Sequence, residues 1–190
     1  MNWKKKVRER EPREVDREEF DRSAVILPVI EHSDDLSLIF TRRAYDLSDH
    51  AGEMSFPGGG MEEFDVSLRE TAVREMWEEV GVEAEDLDVV GRLDDTVTVT
   101  SSYSITPYAA DVPYPYDFEI HDREVGELVV IPLESFLDPE LHEVRRPDGY
   151  SVHYFHYEDY TVWGATADIL LGFLDVLDLW PPSEFSTSQV

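Results

Sequence analysis

The chain has 190 residues, no cysteine, and 43 acidic against 16 basic residues, for a formal net charge of −27. That length suits one domain with a substantial core. The missing cysteine excludes disulfides, thiolate catalysis and thiolate zinc sites, and the negative field argues against general nucleic-acid binding. No apolar run reaches membrane-spanning length and no apolar signal core opens the chain, so a cytoplasmic protein without a membrane partner is expected.

Residues 1–22 hold eight of the 16 Lys and Arg, including every lysine (Lys4, Lys5 and Lys6), interleaved with seven acids. They read as a helical or frayed charged arm interrupted at Pro12, more a mixed-charge tail than a docking surface. Globular signals start at Ser23. AVILPVIE reads as a buried strand, residues 32–35 as a turn and LSLIFTRR as its partner. Residues 44–55 are loop-like and lead into a Pro-Gly-Gly-Gly turn at 57–60.

Residues 67–81 read as one helix. Ser67 with Glu70 forms a capping box, and Gly81 supplies the left-handed residue that ends it. Leu68, Ala72, Met76 and Val80, with Val73 and Trp77 beside them, mark the buried face. Glu75, Glu78 and Glu79 share another face at i, i+3 and i+4. Such neighbours repel by roughly a few tenths of a kcal/mol per pair. They also crowd the helix C-terminus, where the macrodipole disfavours negative charge. A bound divalent cation, which takes carboxylate and phosphate oxygens, accounts for keeping them there. A solvated acidic face is the plainer alternative in so acidic a chain. Arg74, placed to pair with Glu78, and the glycines before the helix weigh against it.

Beyond the helix, LDVVGRL, TVTVTSS, SITPYAADV and VGELVVIPL read as strands, and residues 114–117 as a turn. LESFLDPEL reads as a short helix, Arg-Arg-Pro-Asp-Gly as a hairpin turn before the strand SVHYFHY, and residues 165–179 as a closing helix ending at Pro181 and Pro182. The expected architecture is α/β, a mixed sheet between helices (α/β/α), with one domain over residues 23–180 and a flexible tail at 181–190. None of the six histidines falls in a metal-ligand spacing, and His153 and His156 read as packing residues. The aromatics of YSVHYFHYEDY offer surfaces for stacking on adenine but read first as sheet packing.

Arg74-Glu75-Met76-Trp77-Glu78-Glu79-Val80-Gly81-Val82 closely resembles the second half of the Nudix box, matching at every defined position. In the first half, counted from Gly59, Asp65 stands where the family has Glu, and eight residues rather than seven precede Arg74. Upstream, LIFTRRAYDLSDHAGEMSFPGG is similar to the signature of the coenzyme A pyrophosphatase subgroup. Thr41, Arg43, Gly52, Phe56, Pro57, Gly58 and Gly59 fall in register, whereas Ser48 replaces an arginine. The resemblance covers residues 23–177 and implies a Nudix fold and metal-assisted cleavage of coenzyme A to 3′,5′-ADP and 4′-phosphopantetheine.

By that resemblance Glu75, Glu78 and Glu79 hold Mg²⁺ or Mn²⁺, and Arg74 orients the cluster. Gly58, Gly59 and Gly60 let the backbone approach the substrate, and Arg43, with Arg42 as the second candidate, binds phosphate. The resemblance draws the general base from the helix itself, Glu78 or Glu79 among its catalytic residues, or from a later loop, where Glu127 or Glu124 is the donor, with Asp65 and Glu62 as further candidates. Other nucleoside diphosphate derivatives or oxidised dNTPs remain alternative substrates, and a nucleotide-binding module without turnover the non-enzyme alternative. A homodimer is compatible with the resemblance.

The acidic excess resembles that of proteins from salt-loving organisms, in which counter-ions screen self-repulsion. The expected outcome is a melting temperature that falls between molar salt and dilute buffer. An unchanged or higher value in dilute buffer removes this inference.

Overall fold

The computed structural model describes residues 1–15, 19–32, 35–44, 52–98, 102–121 and 123–181. Ser48, residues 33 and 34 of the turn at 32–35, part of TVTVTSS and the tail from residue 182 lie outside these. In chain order the elements are α1 (Trp3–Glu9), β1 (Asp21–His32), β2 (Asp35–Arg43), β3 (Met54–Ser55), β4 (Gly58–Gly60) and α2 (Leu68–Val80). There follow β5 (Asp88–Arg92), β6 (Thr96–Thr98), β7 (Tyr103–Asp111), β8 (Val125–Pro132), β9 (His142–Arg145), β10 (Val152–Tyr157), β11 (Tyr160–Trp163) and α3 (Gly164–Val176).

A mixed sheet runs β3-β2-β1-β7-β5, with β4 on β1, β6 on β7 and β8 on β2. Strand β1 pairs in parallel with β7 and antiparallel with β2. Being central, it alternates between two hydrophobic layers instead of a core and solvent. Ala24, Ile26 and Ile30 join Leu68, Ala72, Met76 and Val80 of α2 on one face. Leu27 and Val29 join Ile169, Leu170, Phe173 and Leu174 of α3 on the other. The sheet between helices is as expected. A second, antiparallel sheet, β11-β10-β9, packs beside α3. Among the described residues no helix is long and apolar enough to cross a membrane.

Several local expectations are revised. Gly58–Gly60 is not a free turn: it pairs with residues 23–25 of β1, and a side chain at Gly58 would strike the Ala24 carbonyl and the Val25 side chain. The short helix expected at LESFLDPEL is two 3₁₀ turns. Trp77 is half exposed instead of buried, and Thr71 and Glu79 are buried in its stead. The buried arc of α2 is therefore rotated toward the Thr71-Glu75-Glu79 row.

The N-terminal segment is no loose tail. Trp3 and Val7 are buried in the α3-side core, with the Trp3 indole edge-on to Phe173 at 6.1 Å. Lys4 pairs with Asp111 (2.7 Å) and Asp88 (3.1 Å), Lys6 with Asp178 (2.6 Å) and Arg10 with Asp94 (2.9 Å). Surface ion pairs contribute about 0–1 kcal/mol each, whereas truncating a buried Trp costs about 3–5 kcal/mol, so the apolar contacts dominate docking. Trp3→Ala is expected to destabilise the fold by about 3–5 kcal/mol in denaturant titration. A loss under about 1 kcal/mol would mean that α1 contributes little to the core.

Candidate active site

Helix α2 starts and ends as its sequence dictates. The Ser67 hydroxyl accepts from Glu70 N (3.2 Å), Glu70 Oε2 accepts from Val66 N (2.6 Å), and Gly81 leaves the helix at φ 75°. Capping fixes where α2 begins and ends, and packing of Leu68, Ala72, Met76 and Val80 on β1 sets the face on which each carboxylate stands. At its centre Arg74, largely shielded from solvent, donates through Nε to Asp65 Oδ1 (3.1 Å) and through Nη2 to Asp65 Oδ2 (3.0 Å). It also donates to Glu75 Oε1 (2.7 Å), Glu78 Oε2 (2.9 Å) and the Gly60 carbonyl (3.1 Å). Asp65 is buried and accepts from Glu62 N and the Thr71 hydroxyl, both at 2.9 Å. The Arg74 bond holds its pKa down at about 2 against the opposing effect of burial. A short carboxylate at the position where the box resemblance has Glu thus reaches the arginine directly, as the turn at 62–65 folds it back (Asp65 N to Glu62 O, 3.1 Å).

Glu79 is buried on the sheet side, where its Oε2 accepts from Gly58 N at 3.2 Å. Burial pushes its pKa up to about 8. Glu75 and Glu124 add to the rise, and the Gly58 amide and Arg43 oppose it. Glu75 is shifted the same way, by burial first, with Arg74 opposing and Glu78 and Glu124 reinforcing. Gly59 is glycine for a steric reason: a Cβ there would lie 2.5 Å from Glu75 Oε1.

In front of β4 opens a cavity of about 690 Å³. Its lining combines Arg43, Glu53 and the three glycines with the apolar Val25, Ile105, Ile169 and Trp163. Among the described residues no group of three His, Asp or Glu side chains already stands in cation-ligating geometry. Glu75 and Glu78 are turned onto Arg74, and Glu79 onto Gly58. The donors nonetheless suit a hard divalent cation. Three carboxylates share one stretch of helix, and two of them resist ionisation by burial and mutual repulsion, a cost that a cation would relieve.

The structure brings together Arg74, Glu75, Glu78, Glu79, Gly58, Gly59, Gly60 and Arg43. It does not bring Arg42 and Glu127 to the site. Consecutive strand residues point to opposite faces, and a bulge separates Arg42 from Arg43. Arg42 instead pairs with Glu127 at 2.6 Å and lies 5.5 Å over the Tyr160 ring. Of the two loop glutamates it is Glu124, in the β7–β8 connection, whose charge acts on Glu75 and Glu79. Sequence reading also passed over Asp65 as the anchor of Arg74, and Trp163, whose signal was an aromatic beside a glycine at a strand end.

The NUDIX domain family matches residues 20–155. This chain belongs to the Nudix hydrolase family. Among its relatives is a protein of Pectobacterium atrosepticum described as the uncharacterized Nudix hydrolase NudL, 36% identical over 152 residues that make up 78% of each chain. A NudL of Yersinia pestis is 37% identical over 153 residues, 78% of this chain and 76% of its own. A MutT/nudix family protein from Enterococcus faecalis shares the fold, with a TM-score of 0.59 at 15% identity over 89% of this chain and 66% of that one. In this Nudix hydrolase, therefore, the box helix and the cavity beside it form the candidate active site.

The buried Glu79 gives a prediction free of turnover. Its folded pKa, about 8, lies above the value of 4.5 for a free glutamate, so its contribution to stability is full at low pH and is lost as pH rises through 8. In chelator, the melting temperature of Glu79→Gln relative to the parent is expected to climb between about pH 5 and 9. A gap that stays constant over that range would mean that Glu79 ionises freely.

Proposed function

We propose that this Nudix hydrolase cleaves the phosphoanhydride of a nucleoside diphosphate derivative, coenzyme A or a relative of it, with Mg²⁺ or Mn²⁺. The observation that carries the reading is the Arg74 hub, which gathers Glu75 and Glu78 next to Glu79 behind the glycine strand that lines a large cavity. Support for the coenzyme A class comes from the upstream signature, in which Thr41, Arg43, Gly52 and the Phe56-Pro57-Gly58-Gly59 run fall in register. A cavity lined by both charged and apolar side chains also suits a substrate that joins a diphosphate to less polar groups.

Glu75, Glu78 and Glu79 would hold the cation, which when bound supplies charge neutralisation on the phosphate oxygens and acidifies a water. Arg74 holds Glu75 and Glu78 in place and does not touch substrate. Arg43 faces the same cluster and donates to a phosphate, where a planar guanidinium binds bidentately. Backbone at Gly58–Gly60 lets the diphosphate lie close. The water oxygen bonds to one phosphorus, the bridging P–O bond breaks, and the water proton passes to a carboxylate. To Glu124, exposed and electrostatically coupled to Glu75 and Glu79, we assign the base role expected of Glu127.

Two measurements test this. Glu124→Gln should lower kcat by about 10²–10⁴-fold while Glu127→Gln changes it little, and the reverse result moves the base back to Glu127. In competition, coenzyme A should be cleaved at least as efficiently as dNTPs. A preference for dNTPs by orders of magnitude, the outcome that Ser48 in place of arginine favours, discards coenzyme A but not the hydrolase reading.

A further inference from the structure

Trp163 is a large apolar side chain that the fold holds rigidly yet leaves 40% exposed. It stands at the end of β11, directly opposite Tyr154 of β10, and the two rings are parallel within 6° at 5.9 Å between centroids. The Arg145 guanidinium lies 4.4 Å over Tyr154 and is itself fixed by Glu143 at 2.7 and 3.0 Å. Arginine, tyrosine and tryptophan thus form a braced row, with the indole at its cavity end. The backbone beneath is pinned as well, since the Thr166 hydroxyl donates to the Met54 carbonyl at 3.2 Å.

A braced indole costs little side-chain entropy when a ligand lies on it. The other aromatics of the same small sheet are otherwise engaged. Phe155 packs against Phe136, His142 and Trp180, and Tyr160 lies beside Arg42. One cavity is lined by Trp163, by Arg43 and by the glycine strand in front of Glu75, so a molecule carrying both a flat ring and a diphosphate has a partner for each there.

We propose that Trp163 is the platform on which the purine base of the substrate stacks, making it a specificity residue supplied by the small second sheet. The proposal rests on the nucleotide-substrate reading above but not on coenzyme A as the substrate. Binding of ADP and of inorganic pyrophosphate, each with Mg²⁺, is to be measured by calorimetry for the parent, Trp163→Phe and Trp163→Leu. Leucine fills space without stacking. Trp163→Leu should bind ADP at least about 5-fold more weakly, Trp163→Phe should keep most of the affinity, and pyrophosphate binding should be unchanged in all three. Equal ADP affinity in parent and Trp163→Leu overturns the proposal, as does a parallel loss of pyrophosphate binding, which would mark a structural role. Should ADP binding depend on Trp163 while coenzyme A is not cleaved, the platform stands and the coenzyme A reading falls.

Discussion

The site depends on one guanidinium. Arg74 has a buried aspartate on one side, two glutamates on another and a backbone carbonyl of the glycine strand on a third. An arginine can do this because its fork offers donors in several fixed directions and cannot lose its charge. Asp65 is itself held by the Glu62 amide and the Thr71 hydroxyl, so Arg74 is tied to a fixed carboxylate. The acidic side chains of α2 are then arranged around an immobile positive centre, and β4 is tied to the helix through the same group.

The second constraint is the closeness of β4 to α2. Gly58 and Gly59 have no side chains because β1 and Glu75 occupy the space where side chains would go. That approach also brings the Gly58 amide to Glu79 and buries the carboxylate. Burial and like-charge neighbours make Glu79 reluctant to ionise, an unstable arrangement in isolation and a receptive one for a cation. Stability is given up locally where a ligand can restore it.

Charge is used differently at the other end of the molecule. The chain's only lysines sit in the N-terminal segment, and two of them reach acids of the body, Lys4 to Asp88 and Asp111 and Lys6 to Asp178. In a chain of net charge −27 these pairs direct α1 to its place, but the buried Trp3 and Val7 hold it there. Other acids pair with arginines, Asp94 with Arg10 and Asp95 with Arg92, and the exposed excess is left to ions in solution.

Much of this was legible in the sequence because it is local. The extent of α2, its caps, the grouping of its glutamates and the alternation of buried strands follow from spacing along the chain, and so did the α/β layering. What the sequence could not reveal were distances between segments far apart in the chain. Which of Arg42 and Arg43 faces the glutamates turns on a bulge in the β2–β8 pairing. Whether Glu124 or Glu127 approaches them depends on where a loop becomes a strand, and the strand places Glu127 against Arg42. The rotation of α2 that buries Glu79 and exposes Trp77, the docking of residues 3–9, and the meeting of Trp163 with the glycine strand at one cavity are equally non-local. Periodicity reports which residues share a face; only packing between elements decides what that face meets.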